Sequence, residues 1–167
     1  RDLCRALAVG GVKGDVMSGW IRGELEVSRD NLDSALTLVS EDVAVLAPPE
    51  TLGECMDLVC HTDGMNLVQS ILDVARVTHD VIIVDAAGRI SPATGALMRA
   101  ADEVLVVIDE TILGLTALDL FLNYAKALVH SSDRITFLLN NYTGTQLAVG
   151  QIEAELEPAH HLGDRPW

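Results

Sequence analysis

Aromatic side chains are scarce: two Trp, two Tyr and two Phe make up 4% of 167 residues. The core must therefore be aliphatic, built from Leu, Val, Ile and Ala, which suits helices packed on a parallel sheet. Positive charge is scarce as well. Eleven Lys and Arg face 25 Asp and Glu, for a net charge of −14. Such a surface repels phosphate backbones and anionic lipid, which argues against nucleic-acid binding and against direct membrane attachment. The three cysteines, Cys4, Cys55 and Cys60, are odd in number and form no CxxC pair, which disfavours a disulfide framework or a zinc site. Cys60-His61 offers two ligands without a second pair, so these read as ordinary residues of a reduced, cytoplasmic protein. No apolar run has the length of a membrane span, and no signal-peptide pattern is present.

What is there is a hydrophobic content of 49%, too high for a disordered chain and enough for one domain with a substantial core. Both ends read as cut. The chain starts at Arg1, and Arg165-Pro166-Trp167 comes directly after what looks like the approach to another strand. The expectation is a single domain over residues 1–167, truncated at both ends.

The most informative stretch is Val81-Ile82-Ile83-Val84, which ends in Asp85 and the small turn Ala86-Ala87-Gly88. Four β-branched residues without polar alternation read as a strand buried on both faces, the kind found in helix-covered parallel sheets. A carboxylate at the carboxyl end of such a strand lies where open α/β sheets bind ligands. It serves equally well as a cap on the following turn. Val104-Leu105-Val106-Val107-Ile108, ending in Asp109, reads as a second buried strand, and residues 135–139, ending in Asn140-Asn141, as a third. Val43-Ala44-Val45-Leu46 is a strand stopped by Pro48-Pro49, because Pro cannot donate to a ladder.

Helical spacing places Met65, Val68, Ile71, Leu72 and Ala75 on one face. Ser91-Pro92 starts a helix carrying Ala93, Ala96, Leu97 and Ala100. A long helix is predicted over about 115–129 and a last one over about 146–156. A short helix is predicted from Asp30 through Leu38, capped by Asp30 or Ser28. Residues 50–64 read as loop with one helical turn near Leu58. Leu7-Ala8-Val9 fits a short strand or a helix end, and Gly10, Gly11, Gly14 and Gly19 make the next stretch flexible. Strands alternating with helices call for βαβ units. The predicted class is α/β, a mostly parallel sheet with helices on both faces in three layers.

These segments resemble a family. His79-Asp80-Val81-Ile82-Ile83-Val84-Asp85-Ala86-Ala87-Gly88 is similar to the "YDxhhhD" stretch of ParA/MinD-type (SIMIBI) P-loop ATPases. Ala100-Ala101-Asp102-Glu103-Val104-Leu105-Val106-Val107-Ile108 looks like their "AADEVLVV" strand, and Ile135-Thr136-Phe137-Leu138-Leu139-Asn140-Asn141-Tyr142 like their "hhhNxx" strand end. Val43-Ala44-Val45-Leu46-Ala47-Pro48-Pro49 resembles the "hxhLAAP" segment most familiar in the TadZ/CpaE-like branch of Flp/Tad pilus assembly. Gln151-Ile152-Glu153-Ala154-Glu155-Leu156 is similar to the next helix in that branch. The resemblance covers residues 42 to 167.

The resemblance implies ATP with Mg²⁺ as cofactors, a nucleotide-linked homodimer, and pilus or secretion machinery proteins as partners, positioned at a cell site such as a pole. Carried over by position, Asp85 is the Walker B-type aspartate holding Mg²⁺ through water and serving catalysis. Asn140 sits beside adenine. Gly88 lies in the turn that responds to the γ-phosphate. The segment 163–167 approaches the base edge. Septum-site and flagellar-placement relatives share much of this pattern.

The sequence departs from the family at the phosphate loop. The family reads KGGxGK[ST], and the nearest string is Val9-Gly10-Gly11-Val12-Lys13-Gly14-Asp15. Lys and Gly are interchanged, and Asp15 takes the place of a Mg²⁺-binding hydroxyl, where it would repel phosphate. The expectation is that the loop lies upstream of Arg1 or has been lost. ATP hydrolysis is therefore left open. A localisation scaffold with a degenerate nucleotide site is the alternative from another class, and a flavodoxin- or receiver-like domain is a third.

Other residues have plainer readings. Asp109-Glu110 is a solvated loop before a helix cap rather than a paired-carboxylate site, and Asp102-Glu103 is a polar turn. His160-His161 lacks partners at ligand spacing, and His79 is packing. Lys126 and Arg134 suit surface positions as well as a ligand. Spacing supports no Ser–His–Asp or Cys–His arrangement.

Overall fold

The computed structural model describes residues 14–49, 51–86, 90–126 and 134–160. The chain divides into two compact units, Arg1–Leu97 and Met98–Trp167.

The first unit opens with helix α1 (Asp15–Ile21), with Gly14 at its N-cap and Gly19 inside it, where the sequence predicts a flexible stretch. Met17 and Trp20, three residues apart, face the core, and the Trp20 indole N–H is satisfied by the Glu26 carbonyl at 3.1 Å. Helix α2 (Arg29–Ala35) is capped by Ser28, whose hydroxyl accepts from the Asn31 N–H. It is shorter than predicted. At Leu36 the backbone turns to φ −71°, ψ 139°, and the chain enters strand β1 (Leu36–Ser40). β1 pairs antiparallel with β2 (Val43–Leu46) through the turn at Glu41 and Asp42, with a register shift between Leu38 and Ser40. Leu38, assigned above to a helix face, is thus a strand residue.

The expected loop after Pro49 is largely helix α3 (Leu52–Cys60). Thr51 and Glu54 form a reciprocal capping box that satisfies two otherwise orphaned donors. Helix α4 (Thr62–Thr78) begins after a single pivot residue, His61. The core of the unit joins Met17 and Trp20 of α1, Leu32 and Ala35 of α2, and Ile71 and Ala75 of α4. Glu54 ties α3 to α1, accepting from the Ser18 hydroxyl and pairing with Arg22, each at 2.8 Å.

Residues 81–84 correct the leading expectation. They form no strand and pair with none among the described residues, and all four are exposed, Ile83 to 92%. β-Propensity is realised only against a neighbouring ladder and a covering layer. Without those partners, a β-branched run stays single.

Helix α5 (Pro92–Ala100) starts as predicted, with the Thr94 N–H donating to the Ser91 hydroxyl at 3.1 Å. In the second unit, β3 (Val104–Ile108) and β4 (Ile135–Leu139) pair parallel across helix α6 (Ile112–Lys126), Val104 opposite Ile135 and Ile108 opposite Leu139. Helix α7 (Val149–His160) completes it. Ile108 packs with Leu118 and Leu122 of α6 and Ile152 of α7, supported by Phe137 and Leu139. The opposite face, with Leu105, Val107 and Leu138, is exposed. The uninterrupted apolar run of β3 predicts burial on both sides; the strand is covered on one. Burial on both faces requires a layer on each.

The class is α/β. The sheets are one antiparallel and one parallel pair, and the wide, doubly covered parallel sheet is absent among the described residues.

Candidate functional site

The carboxyl edge of the β3–β4 pair is the best-defined polar site. Parallel pairing brings the ends of both strands side by side, so the β3–α6 and β4–α7 connections meet there. The ladder runs one step past β4, where the Asn140 N–H donates to the Ile108 carbonyl at 2.8 Å. Asn140 itself is exposed. Asn141 takes φ 55°, a left-handed conformation that Asn tolerates better than most residues. Gly144 takes φ 71°, where glycine meets no steric penalty.

Asp109 and Glu110 at this edge have separate jobs. Asp109 accepts from the Thr111 hydroxyl at 2.6 Å and the Thr111 N–H at 3.0 Å, the turn that leads into α6. Those bonds hold its carboxyl below the usual range, against partial desolvation and the like charge of Glu110. Glu110 is buried. One carboxylate oxygen accepts from the Thr143 N–H at 3.1 Å and the Gly144 N–H at 2.7 Å. The other accepts from the Thr143 hydroxyl and, at 3.2 Å, from the Thr145 hydroxyl. The Thr143 hydroxyl is the largest cause of its lowered pKa, followed among the favourable contacts by the Gly144 and Thr143 amides; burial opposes them. The expected solvated loop before a helix cap is thus half right: Asp109 is exposed in the turn before Thr111, whose hydroxyl accepts from the Gly114 N–H at 2.9 Å, and Glu110 is a buried tie.

Asp85 lies in the first unit, exposed, at the end of the unpaired run 81–84. Asn140 lies in the second. Gly88 and residues 163–167 fall outside the described residues, as does the string 9–13. Asp15, at the end of that string, is exposed on the first residue of α1.

The remaining candidates resolve simply. Arg134 closes the end of α5 and the residue beyond it, donating to the carbonyls of Met98 at 3.1 Å, Arg99 at 3.3 Å and Ala101. Glu103 accepts from the Thr136 hydroxyl at 2.9 Å across β3 and β4. His79 shares a contact with the Thr78 hydroxyl at 2.8 Å. His161 lies outside the described residues. Among the described residues, no three His, Cys, Asp or Glu gather as a metal centre, and no helix is long and apolar enough to cross a membrane.

Sequence reasoning passed over Glu110, Thr143, Gly144 and Thr145 as a unit. The available signal was a Thr-Gly-Thr turn and a carboxylate, each just past the end of a predicted parallel strand. Only the strand pairing makes them neighbours.

The chain is of the α/β class, with one parallel strand pair whose following loops meet at its carboxyl edge. No family model and no curated protein matches it. Among solved structures it is similar to a ParA family ATPase from Chlorobium tepidum TLS, with a TM-score of 0.69 and 19% identity. The match covers 81% of this chain and 55% of that one, so the chain spans about half of that protein's length. At this identity the likeness is one of fold, and the fold is ParA-like.

Proposed function

We propose that this chain is the ATP-binding domain, over residues 1–167, of a ParA/MinD-like protein of the TadZ/CpaE-like kind, which positions or assembles a pilus or secretion apparatus at a cell site. The observation that carries the reading is the ParA-like fold over 81% of the chain, together with strand-end motifs in the order that family shows. In this reading the mostly parallel, doubly covered sheet of the family is completed around the β3–β4 pair.

Asp85 is an exposed carboxylate, and Mg²⁺ bound to a nucleotide needs only one or two carboxylates beside phosphates and water, so the residue fits that role. The exposed Asn140 amide fits the edge of a purine. By its position in the resembling motif, Gly88 is assigned to the phosphates. When bound, Mg²⁺-ATP supplies the phosphoryl group whose loss resets a homodimer and its hold on partner proteins. Asp85 would hold the metal through water and orient the attacking water, and Asn140 would orient the base.

A second reading is favoured by one sequence observation: nothing in the 167 residues matches KGGxGK[ST], and Asp15 stands at the hydroxyl position of the nearest string. In that reading the chain keeps the fold as a localisation scaffold.

Calorimetry of the full chain with Mg²⁺-ATP separates the two, using Asp85→Ala and Asn140→Ala as controls. Binding that loses its Mg²⁺ dependence in D85A and weakens in N140A supports the nucleotide reading. Folded wild-type chain that binds no ATP supports the scaffold.

A further inference from the structure

We propose that Glu110 is the positioning residue of the loop after β4: its carboxylate fixes residues 143–145 and so presents Asn140, Asn141 and Tyr142 to a planar nucleobase. The nucleobase half rests on the nucleotide reading above; the loop-fixing half does not.

The loop is tied at two points. At its start, the Asn140 N–H is held by the Ile108 carbonyl at 2.8 Å. At its far side, two successive backbone N–H groups and two hydroxyls converge on one buried carboxylate. Successive N–H groups in a turn containing a left-handed residue form an anion-binding concavity, and Gly144 supplies that residue at φ 71°. Here the anion is the protein's own. The Thr143 and Thr145 hydroxyls also contact each other at 2.7 Å, so all four donors belong to one network.

Between the two ties stand Asn140, Asn141 and Tyr142, all exposed. Asn141 takes φ 55°, a turn conformation that Asn accepts readily. Two amides and an aromatic ring, displayed on a loop anchored at both ends, supply what a heteroaromatic base requires: paired donors and acceptors for its edge and a ring for its face. A loop fixed before binding also spares the ordering cost when the ligand arrives.

The test compares wild type, Glu110→Ala and Glu110→Gln as full chains, with far-UV circular dichroism to confirm folding. Amide NMR tracks Thr143 and Gly144; calorimetry tracks Mg²⁺-ATP and inorganic tripolyphosphate. In E110A, both amides should shift and lose protection from exchange. ATP affinity should fall about tenfold, the scale of one charge-assisted bond, with tripolyphosphate unchanged. In E110Q, the amide oxygen still accepts the two N–H groups and its NH₂ can donate to the threonine hydroxyls, so most of both effects should be rescued.

Unchanged Thr143 and Gly144 amides in folded E110A would overturn the tie, whatever happens to ATP. Equal loss for ATP and tripolyphosphate would overturn the nucleobase role. If E110A does not fold, failure of E110Q to keep the wild-type amide positions would count against the tie, and retention would support it. Wild-type chain that binds neither ligand overturns the nucleotide reading and the nucleobase half with it; the amides alone then decide the tie.

Discussion

Gly64→Ala should destabilise the first unit even though Ala is the better helix former. Gly64 is the third residue of α4, just past the pivot at His61, and it is buried against the last turn of α3. A Cβ placed there would lie 2.2 Å from the Leu58 carbonyl oxygen and 2.6 Å from that of Asp57. Ordinary carbon–oxygen contacts begin near about 3.3 Å, so the end of α3 would have to retreat by about 1 Å. These are backbone atoms with no rotamer to give. The Asp57 carbonyl also accepts the His61 N–H at 3.4 Å, and retreat would stretch that bond further. Replacing Gly by Ala in a helix gains at most about 1 kcal/mol. Forcing a methyl into a filled contact costs about 1–3 kcal/mol, and rigid neighbours put this site at the upper end. The net expectation is a loss of about 2 kcal/mol, or a urea midpoint lower by about 1 M. Gly53→Ala is the matched control. It lies on α3, where an added Cβ meets nothing nearer than the Thr51 hydroxyl at 3.9 Å, so it should be neutral or stabilising by up to about 1 kcal/mol. If both variants move the midpoint the same way, or if G64A matches wild type, the close α3–α4 crossing is wrong.

Leu32→Ala should cost about 2–5 kcal/mol, because Leu32 is 1% exposed and its removal opens a cavity among α1, α2 and α4; a urea titration reads it directly. The Glu54 carboxyl is held below its ordinary value of 4.5 chiefly by the Ser18 hydroxyl, then by Thr51 and Arg22. A lowered carboxyl pKa contributes stability that is full above the unfolded value and lost as pH falls through the folded one. Wild type should therefore lose stability below about pH 4.5 more steeply than Glu54→Gln, measured as the urea midpoint at stepped pH. Parallel slopes for the two proteins would remove Glu54 as a source of acid sensitivity.

The parts of the fold legible in the sequence are those whose signal is local and repeated. The 3.6-residue spacing of Met65, Ile71 and Ala75 marks α4, Ser91-Pro92 marks the start of α5, and apolar runs mark β2, β3 and β4. β1 is hidden because Leu32, Ala35, Leu36 and Leu38 suit a helix face until the backbone turns at Leu36. Helix α3 has a local signal in the capping-box spacing of Thr51 and Glu54, set between Pro48-Pro49 and the helix-weakening Gly53. Residues 81–84 are the reverse case. Their composition favours a strand, yet a strand is completed by its neighbours. Asp85 and Asn140 stand out because each ends an apolar run. Glu110 does not, because its partners are 33 to 35 residues away and only the register of β3 on β4 joins them.

That same register has a consequence during synthesis. β3 leaves the ribosome roughly thirty residues before β4, a wait of about 2–6 s at ~5–20 residues per second. Through that interval Val104-Leu105-Val106-Val107-Ile108 lacks β4, its partner among the described residues, and a short run of this kind, uncharged and without proline, is what promotes intermolecular β assembly. The acidic pairs Asp102-Glu103 and Asp109-Glu110 bracket it on both sides. Charges flanking an apolar run are the arrangement that disfavours such assembly. Glu110, a tie in the finished molecule, is thus first a repulsive flank in the growing one.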